Sequence, residues 1–183
     1  RITFIKAEYE KCFDAGRKIL EFLKKENSEI VHVYINLSNI CMQLLLNEES
    51  LEYIKKAIDL LEIHSNNKLQ FVAYIQLSAI YINTENYDRA LKTVEKLNVL
   101  ANREKSAELK ALAYQHIGTI YYKQEQYQNA LRFFEKSQKL IFPLPIVTMH
   151  SMISCCLRIE DYPKAREYIG VGESNISSEY AEM

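Results

Sequence analysis

Read at intervals of 40 residues, three sets of side chains fall into one register: His32, Ile35, Asn39, Met42 and Gln43; Val72, Ile75, Ala79, Ile82 and Asn83; Leu112, Gln115, Thr119, Tyr122 and Lys123. Asn39, Asn83 and Gln115 each present an amide donor and an amide acceptor. Those are the two functions that an extended peptide's backbone needs when it leaves water. Ile35, Ile75, Ile82 and Tyr122 offer apolar contact between them, and Gln43, Thr119 and Lys123 complete the polar part. The chemistry open to such a set is recognition by hydrogen bonding and apolar contact. The same residues also read as solvated helix positions with no ligand.

Bond-making chemistry has no comparable foothold. The chain lacks a glycine-rich phosphate loop, a G-x-S-x-G elbow and a histidine–carboxylate motif, so no catalytic residue is assigned and an enzyme is not expected. His32, His64, His116 and His150 lie on four segments without the i, i+4 pairing of a metal site, and neither a metal nor another cofactor is expected. Cys12, Cys41, Cys155 and Cys156 form no C-x-x-C pair, and they read as reduced core thiols. Reduced thiols favour a cytoplasmic location, because structural disulfides need an oxidising compartment.

The elements that position these residues follow from self-similarity. Tyr114, Ile117, Gly118 and Tyr121 are answered 40 residues earlier by Tyr74, Leu77, Ser78 and Tyr81, and again by Tyr34, Leu37, Ser38 and Cys41. The segment that follows keeps the same shift: Ala130, Leu131 and Phe134 correspond to Ala90, Leu91 and Val94, then to Ser50, Leu51 and Ile54. Two helices approach closely only where a small side chain admits the partner's ridge, and Gly118 and Ala130 are the expected places.

Composition agrees. The 183 residues are 48% apolar with four Gly and three Pro, enough to bury a continuous core but poor in turn material for sheets. A net charge of −1, from 23 basic and 24 acidic residues, gives no electrostatic footprint for nucleic acid or an anionic membrane. No apolar run approaches the ~20 residues of a membrane span.

Along the chain, the first nine residues read as the last turns of a helix whose start is missing. A second helix is expected over Cys12–Lys25, with Ala15, Ile19 and Phe22 standing where Ser50, Ile54 and Ala57 stand in the next unit. Asn27-Ser28 is expected to cap a helix from Glu29 to Leu46. A turn at Asn47-Glu48 then leads to a helix ending at Ile63. The polar break His64–Asn67 precedes helices over Lys68–Asn83 and Tyr87–Leu100, and Asn102 is expected to cap the next. The extra length of a 40-residue spacing is assigned to the junctions between repeats. Pro143 and Pro145 interrupt the helices, and Pro145 can begin one. The last unit keeps Tyr162 and Ala165 in register 35 residues after Tyr127 and Ala130, and Gly170 and Gly172 point to a fraying second helix.

The pattern of Tyr114, Ile117-Gly118, Tyr121, Ala130, Phe134 and Ser137 resembles the tetratricopeptide repeat. The resemblance implies an all-α fold, a right-handed α-solenoid of antiparallel helix pairs. It implies one domain over residues 1–173, with a partial repeat 1–27 and repeats 28–64, 65–101, 102–142 and 143–173. Residues 174–183 then form a polar tail or a truncated next repeat. Repeat geometry turns the three register sets inward, and the peptide-binding candidates are Ile35, Asn39, Gln43, Ile75, Ile82, Asn83, Gln115, Thr119, Tyr122 and Lys123. In style the chain is similar to the cytosolic peptide-pheromone receptors of Gram-positive bacteria, the response-regulator aspartate phosphatases and peptide-controlled transcription factors. That similarity implies a short linear peptide or protein segment as partner, an effector part outside this segment, and a possible homodimer, with no nucleic acid or membrane engaged through these residues. The alternative is a non-catalytic assembly scaffold or oligomerisation module.

Overall fold

A computed structural model describes residues 2–23, 29–63 and 66–181, and the side chains within 5–23, 29–63 and 66–173. Among the described residues all regular structure is helical: α1 (Ile2–Phe22), α2 (Glu29–Gln43), α3 (Asn47–Ile63), α4 (Asn67–Asn83), α5 (Tyr87–Glu104), α6 (Ala107–Lys123), α7 (Tyr127–Gln138), α8 (Ile146–Arg158) and α9 (Tyr162–Ala181). Contacts divide the chain into two compact units, residues 1–93 and 94–183.

In the first unit α2 pairs with α3, while α1 and α4 flank that pair. The pair closes at Ser38 and Ser50, both fully buried. Each hydroxyl donates to the other residue's backbone carbonyl at 2.8 Å, and the two hydroxyl oxygens lie 3.1 Å apart. Ser78 and Ala90 hold the corresponding places in α4 and α5, again fully buried. In the second unit α6 pairs with α7, and α8 with α9. A methyl built on Gly118 would stand 2.6 Å from the Phe134 ring, and Phe134 is 1% exposed. That contact explains why a glycine, unfavourable by about 1 kcal/mol in a helix interior, occupies the site. The Tyr168 hydroxyl donates to Glu135 at 2.9 Å, and Lys164 forms an ion pair with the same carboxylate, which fastens α9 to α7.

The helix–turn–helix connections repeat one device without the residue that normally supplies it. Leu45, Glu85, Glu125 and Glu160 adopt φ of 63°, 57°, 60° and 62°. The next residue in each case returns its N–H to a carbonyl five positions back: Leu46 to Cys41, Asn86 to Tyr81, Gln126 to Tyr121 and Asp161 to Cys156, at 2.8 to 2.9 Å. This is a Schellman closure with a side chain at the left-handed position that favours glycine.

Several boundaries differ from those expected. No break separates the first nine residues from Cys12, because Glu10-Lys11 offers neither a breaker nor a cap; α1 is one helix of 21 residues. The turn after α2 lies at Leu44–Leu46 rather than at Asn47, which is the first residue of α3. Asn102 lies inside α5, and Ser106 caps α6 by accepting from Leu109 N–H at 3.2 Å. The long spacing is taken up by the second helices, with 17 residues in α3 and 18 in α5, and not by the junctions. Helix α9 passes through Gly170 and Gly172 to Ala181, so the backbone of the expected tail is helical up to that residue. The side chains beyond residue 173, the proposed caps Asn27 and Ser28, and His64 and Ser65 lie outside the described residues. Asn66 does cap α4, accepting from Leu69 N–H at 3.1 Å, and Pro145 does stand at the head of α8.

Two substitutions test this packing. Gly118→Ala is expected to destabilise by about 1–3 kcal/mol, since the buried ring has no room to retreat. Glu125→Gly, which relieves a left-handed side chain at an exposed turn, is expected to leave stability unchanged or raise it by up to about 1 kcal/mol. Urea unfolding of both variants checks the signs, and equal midpoints for Gly118→Ala and wild type would contradict the close approach.

Candidate peptide-binding face

The first helices of the pairs lie side by side within each unit, and each presents a stripe of accessible residues. In the first unit, the Gln76 side-chain amide donates to the Ile35 carbonyl at 3.2 Å and ties α4 to α2. Beside that bond, α2 exposes His32, Asn36, Asn39 and Gln43, spaced to lie along one helical face. Helix α4 presents exposed Val72 and Asn83, with half-buried Ile75 and Ala79 between them. In the second unit, the Tyr122 hydroxyl donates to Ser154 Oγ at 3.2 Å and joins α6 to α8. The Tyr122 ring meets Tyr127 edge-on at 5.7 Å, and the Arg158 guanidinium lies 5.8 Å from the Tyr127 centroid. Lys123 is exposed at the end of α6.

The ten predicted residues separate by environment. Asn39, Gln43, Asn83 and Lys123 are exposed, and Ile75, Thr119 and Tyr122 are half-buried. Ile35, Ile82 and Gln115 are buried, which corrects their placement on an accessible face. Gln115 turns into its own helix pair and donates to Ser137 Oγ at 3.1 Å. The Thr119 hydroxyl bonds back to the Gln115 carbonyl at 2.9 Å and so has spent its donor within α6. Next to buried Ile35, Asn36 is exposed and was missed by the register set, whereas at the matching places of α4 and α6 Gln76 is buried and His116 half-buried.

His116 is largely enclosed, and burial pushes its imidazolium down to about 4. Burial likewise raises the thiols: Cys41 to about 11, with help from Glu49, and Cys155 to about 12. These thiols, with Cys156, are buried, as expected of core residues, whereas Cys12 is exposed, which corrects its assignment to the core. Two shallow clefts occur in the first unit, of about 390 Å³ beside Phe13, Leu44 and Leu46 and about 360 Å³ beside Tyr34 and Leu60; neither is lined by a candidate residue. Among the described residues no three metal-ligating side chains converge, and no helix is long and apolar enough to cross a membrane.

Helix pairs that recur every 35 to 40 residues and close on small residues define an all-α helix-pair repeat protein. The tetratricopeptide-repeat profile matches residues 31–60, 72–98 and 111–142. The chain is a tetratricopeptide-repeat protein of the α-solenoid fold class. A comparison with curated protein sequences found no match. Among solved structures the chain is similar to a Rap protein complexed with competence and sporulation factor, at 16% identity and a TM-score of 0.80 over 95% of this chain and 50% of that one. It is also similar to the apo form of the quorum sensor NprR from B. thuringiensis, at 21% identity and 0.76 over 91% and 48%. NprR in complex with its cognate peptide NprX matches at 21% identity and 0.72 over 91% and 50%. The chain thus spans about half the length of these structures, and at such identities the likeness is one of fold.

His116 yields a signed prediction. Above pH 6.5 its imidazole is neutral whether the chain is folded or not. Below that, the unfolded chain takes up a proton that the folded chain refuses until about pH 4. Stability associated with this residue is therefore present above pH 6.5 and lost as pH falls toward 4. Between pH 7 and pH 5, wild type is expected to lose roughly 1–2 kcal/mol more than His116→Gln, as read by urea unfolding at the two pH values.

Proposed function

We propose that this chain is a non-catalytic peptide-binding domain, the sensing half of a cytoplasmic quorum-sensing transcriptional regulator or response-regulator phosphatase. The observation that supports this reading best is the accessible amide stripe of α2, Asn36, Asn39 and Gln43, with Asn83 exposed at the end of α4 in the same unit. Amides at helical spacing can return to a peptide's N–H and C=O groups the hydrogen bonds they lose with water, and an unmade bond there costs about 1–3 kcal/mol. Val72 and half-buried Ile75 and Ala79 supply apolar contact alongside. The shared fold supports the same reading, since NprR is solved with a cognate peptide. The ligand is a short linear peptide with apolar side chains, held through its backbone.

Titration of a peptide library tests this. Asn39→Ala or Asn83→Ala is expected to weaken binding by roughly 1–3 kcal/mol with little change in unfolding, because both side chains are exposed. Gln115→Ala should do the opposite, lowering stability while sparing affinity, because its amide serves Ser137 in the core. Absence of any peptide ligand, or alanine variants at 39 and 83 that bind as wild type does, would overturn the proposal. The alternative role is a non-catalytic assembly scaffold or oligomerisation module.

A further inference from the structure

The second unit carries two exposed cations at one register place on neighbouring helices. Lys123 is the last residue of α6 and Arg158 the last of α8. They stand 35 residues apart, the shift that also relates Tyr127 to Tyr162 and Ala130 to Ala165. The two helices lie side by side, joined next to Lys123 by the hydrogen bond from the Tyr122 hydroxyl to Ser154. Arg158 leans back toward the turn between α6 and α7: its guanidinium lies 5.8 Å from the centroid of Tyr127, whose ring meets that of Tyr122 at 5.7 Å. The guanidinium thus faces into the unit, toward the helix pair that precedes it in the chain. Among the described residues neither cation forms an ion pair. Glu125 and Glu160 each follow by two residues, but they occupy the left-handed turn positions and make no such contact.

A cation in the last turn of a helix compensates the macrodipole, but only weakly at an exposed site. The repeat does not need one there. Gln43 and Asn83 end α2 and α4 at the same register place, before the same left-handed turn, and neither helix has a basic residue in its last turn. Like charges side by side on adjacent helices repel, and an anion between them turns that cost into attraction. Packed helices lie about 8–10 Å apart, a gap that a lysine and an arginine can close on one carboxylate. Lying over the Tyr127 ring, the guanidinium leaves its N–H edge to a ligand, and that edge is the part that holds a carboxylate through two parallel hydrogen bonds.

We propose that Lys123 and Arg158 together form an anion site for one acidic side chain of the bound peptide, an aspartate or a glutamate. The inference rests on the peptide-binding reading and deepens it by giving the ligand a charge. Both cations stand at the ends of their helices, at the rim of the accessible face, so a peptide held there through its backbone reaches them with a side chain. Half-buried Tyr122, next to Lys123, offers apolar contact to the methylenes of that side chain. The first unit has only the uncharged amides of Gln43 and Asn83 at this register place, so the acidic residue is read by the second unit alone.

Libraries of short peptides, titrated against the 183-residue chain, test the site. Two are acetylated and amidated so that their ends are uncharged, and differ only at a central residue, glutamate in one and glutamine in the other. Wild type is expected to bind the glutamate library about tenfold more tightly at low ionic strength, with the preference shrinking as salt is raised. Lys123→Gln and Arg158→Gln should each reduce that ratio, and the double variant should bring it to about one. Lys139→Gln, which removes an exposed cation at the end of α7, should leave the ratio as in wild type. Because Lys123 and Arg158 are exposed, helix content should be the same in every variant. A third library, with central glutamine and a free C-terminus, separates a side-chain carboxylate from a terminal one. Equal binding of the two blocked libraries, a preference that survives the double variant, or a free C-terminus that substitutes for the glutamate would each overturn the site while leaving peptide binding in place. Failure of every library to bind would overturn both the site and the peptide reading.

Discussion

The closeness of two helices at a single small residue governs the packing within each pair. At Gly118 the α6 backbone leaves no space for a methyl beside the Phe134 ring, and at Ser38 and Ser50 the two backbones are near enough for side-chain hydroxyls to reach across. Packing at that separation decides which residues of the second helix are sealed and which of the first remain outside. It therefore fixes the rotation of each first helix about its axis, and with it the stripe that meets solvent. Asn39 is exposed beside Ser38, which is committed to Ser50 of α3. The candidate face is a by-product of the seam behind it.

Much of the fold was legible because this constraint leaves a mark in residue types. Small residues at 38, 78 and 118, answered at 50, 90 and 130, locate the pairs without any knowledge of loops. Helix ends were legible where polar residues mark the break, as at Asn66 and between Asn83 and Tyr87, although the cap of α6 was assigned to Asn102 rather than to Ser106. The turn at Leu45 sits in a run of leucines and closes through main-chain hydrogen bonds at a left-handed residue, so no glycine marks it. The continuity of α1 was hidden for a related reason. The repeat register called for a turn near Glu10, but the local sequence contains only residues that propagate a helix.

The candidate site was less legible than the fold. A register derived from repeat spacing locates equivalent positions reliably but does not say which of two neighbouring residues points outward. Ile35 and Asn36 differ by 100° of rotation, and only the seam with α3 distinguishes them. Gln115 shows how residue type misleads: an amide suited to a peptide is here the internal partner of Ser137. Polar residues on a first helix therefore serve two masters, the seam and the ligand face, and composition alone does not divide them.

The reciprocal serines of the first pair have a consequence for how such a repeat can change over time. Each hydroxyl donates to a main-chain carbonyl of the other residue, so replacing one serine by alanine removes that residue's own bond and leaves its fellow's acceptor in place. The two positions can therefore lose their hydroxyls one at a time. Ser78 with Ala90 holds one hydroxyl and Gly118 with Ala130 holds none, at the corresponding places of the same chain. Repeats descended from a common ancestor can pass from a pair of hydroxyls to a pair of bare backbones through such a mixed pair without stranding a buried hydroxyl.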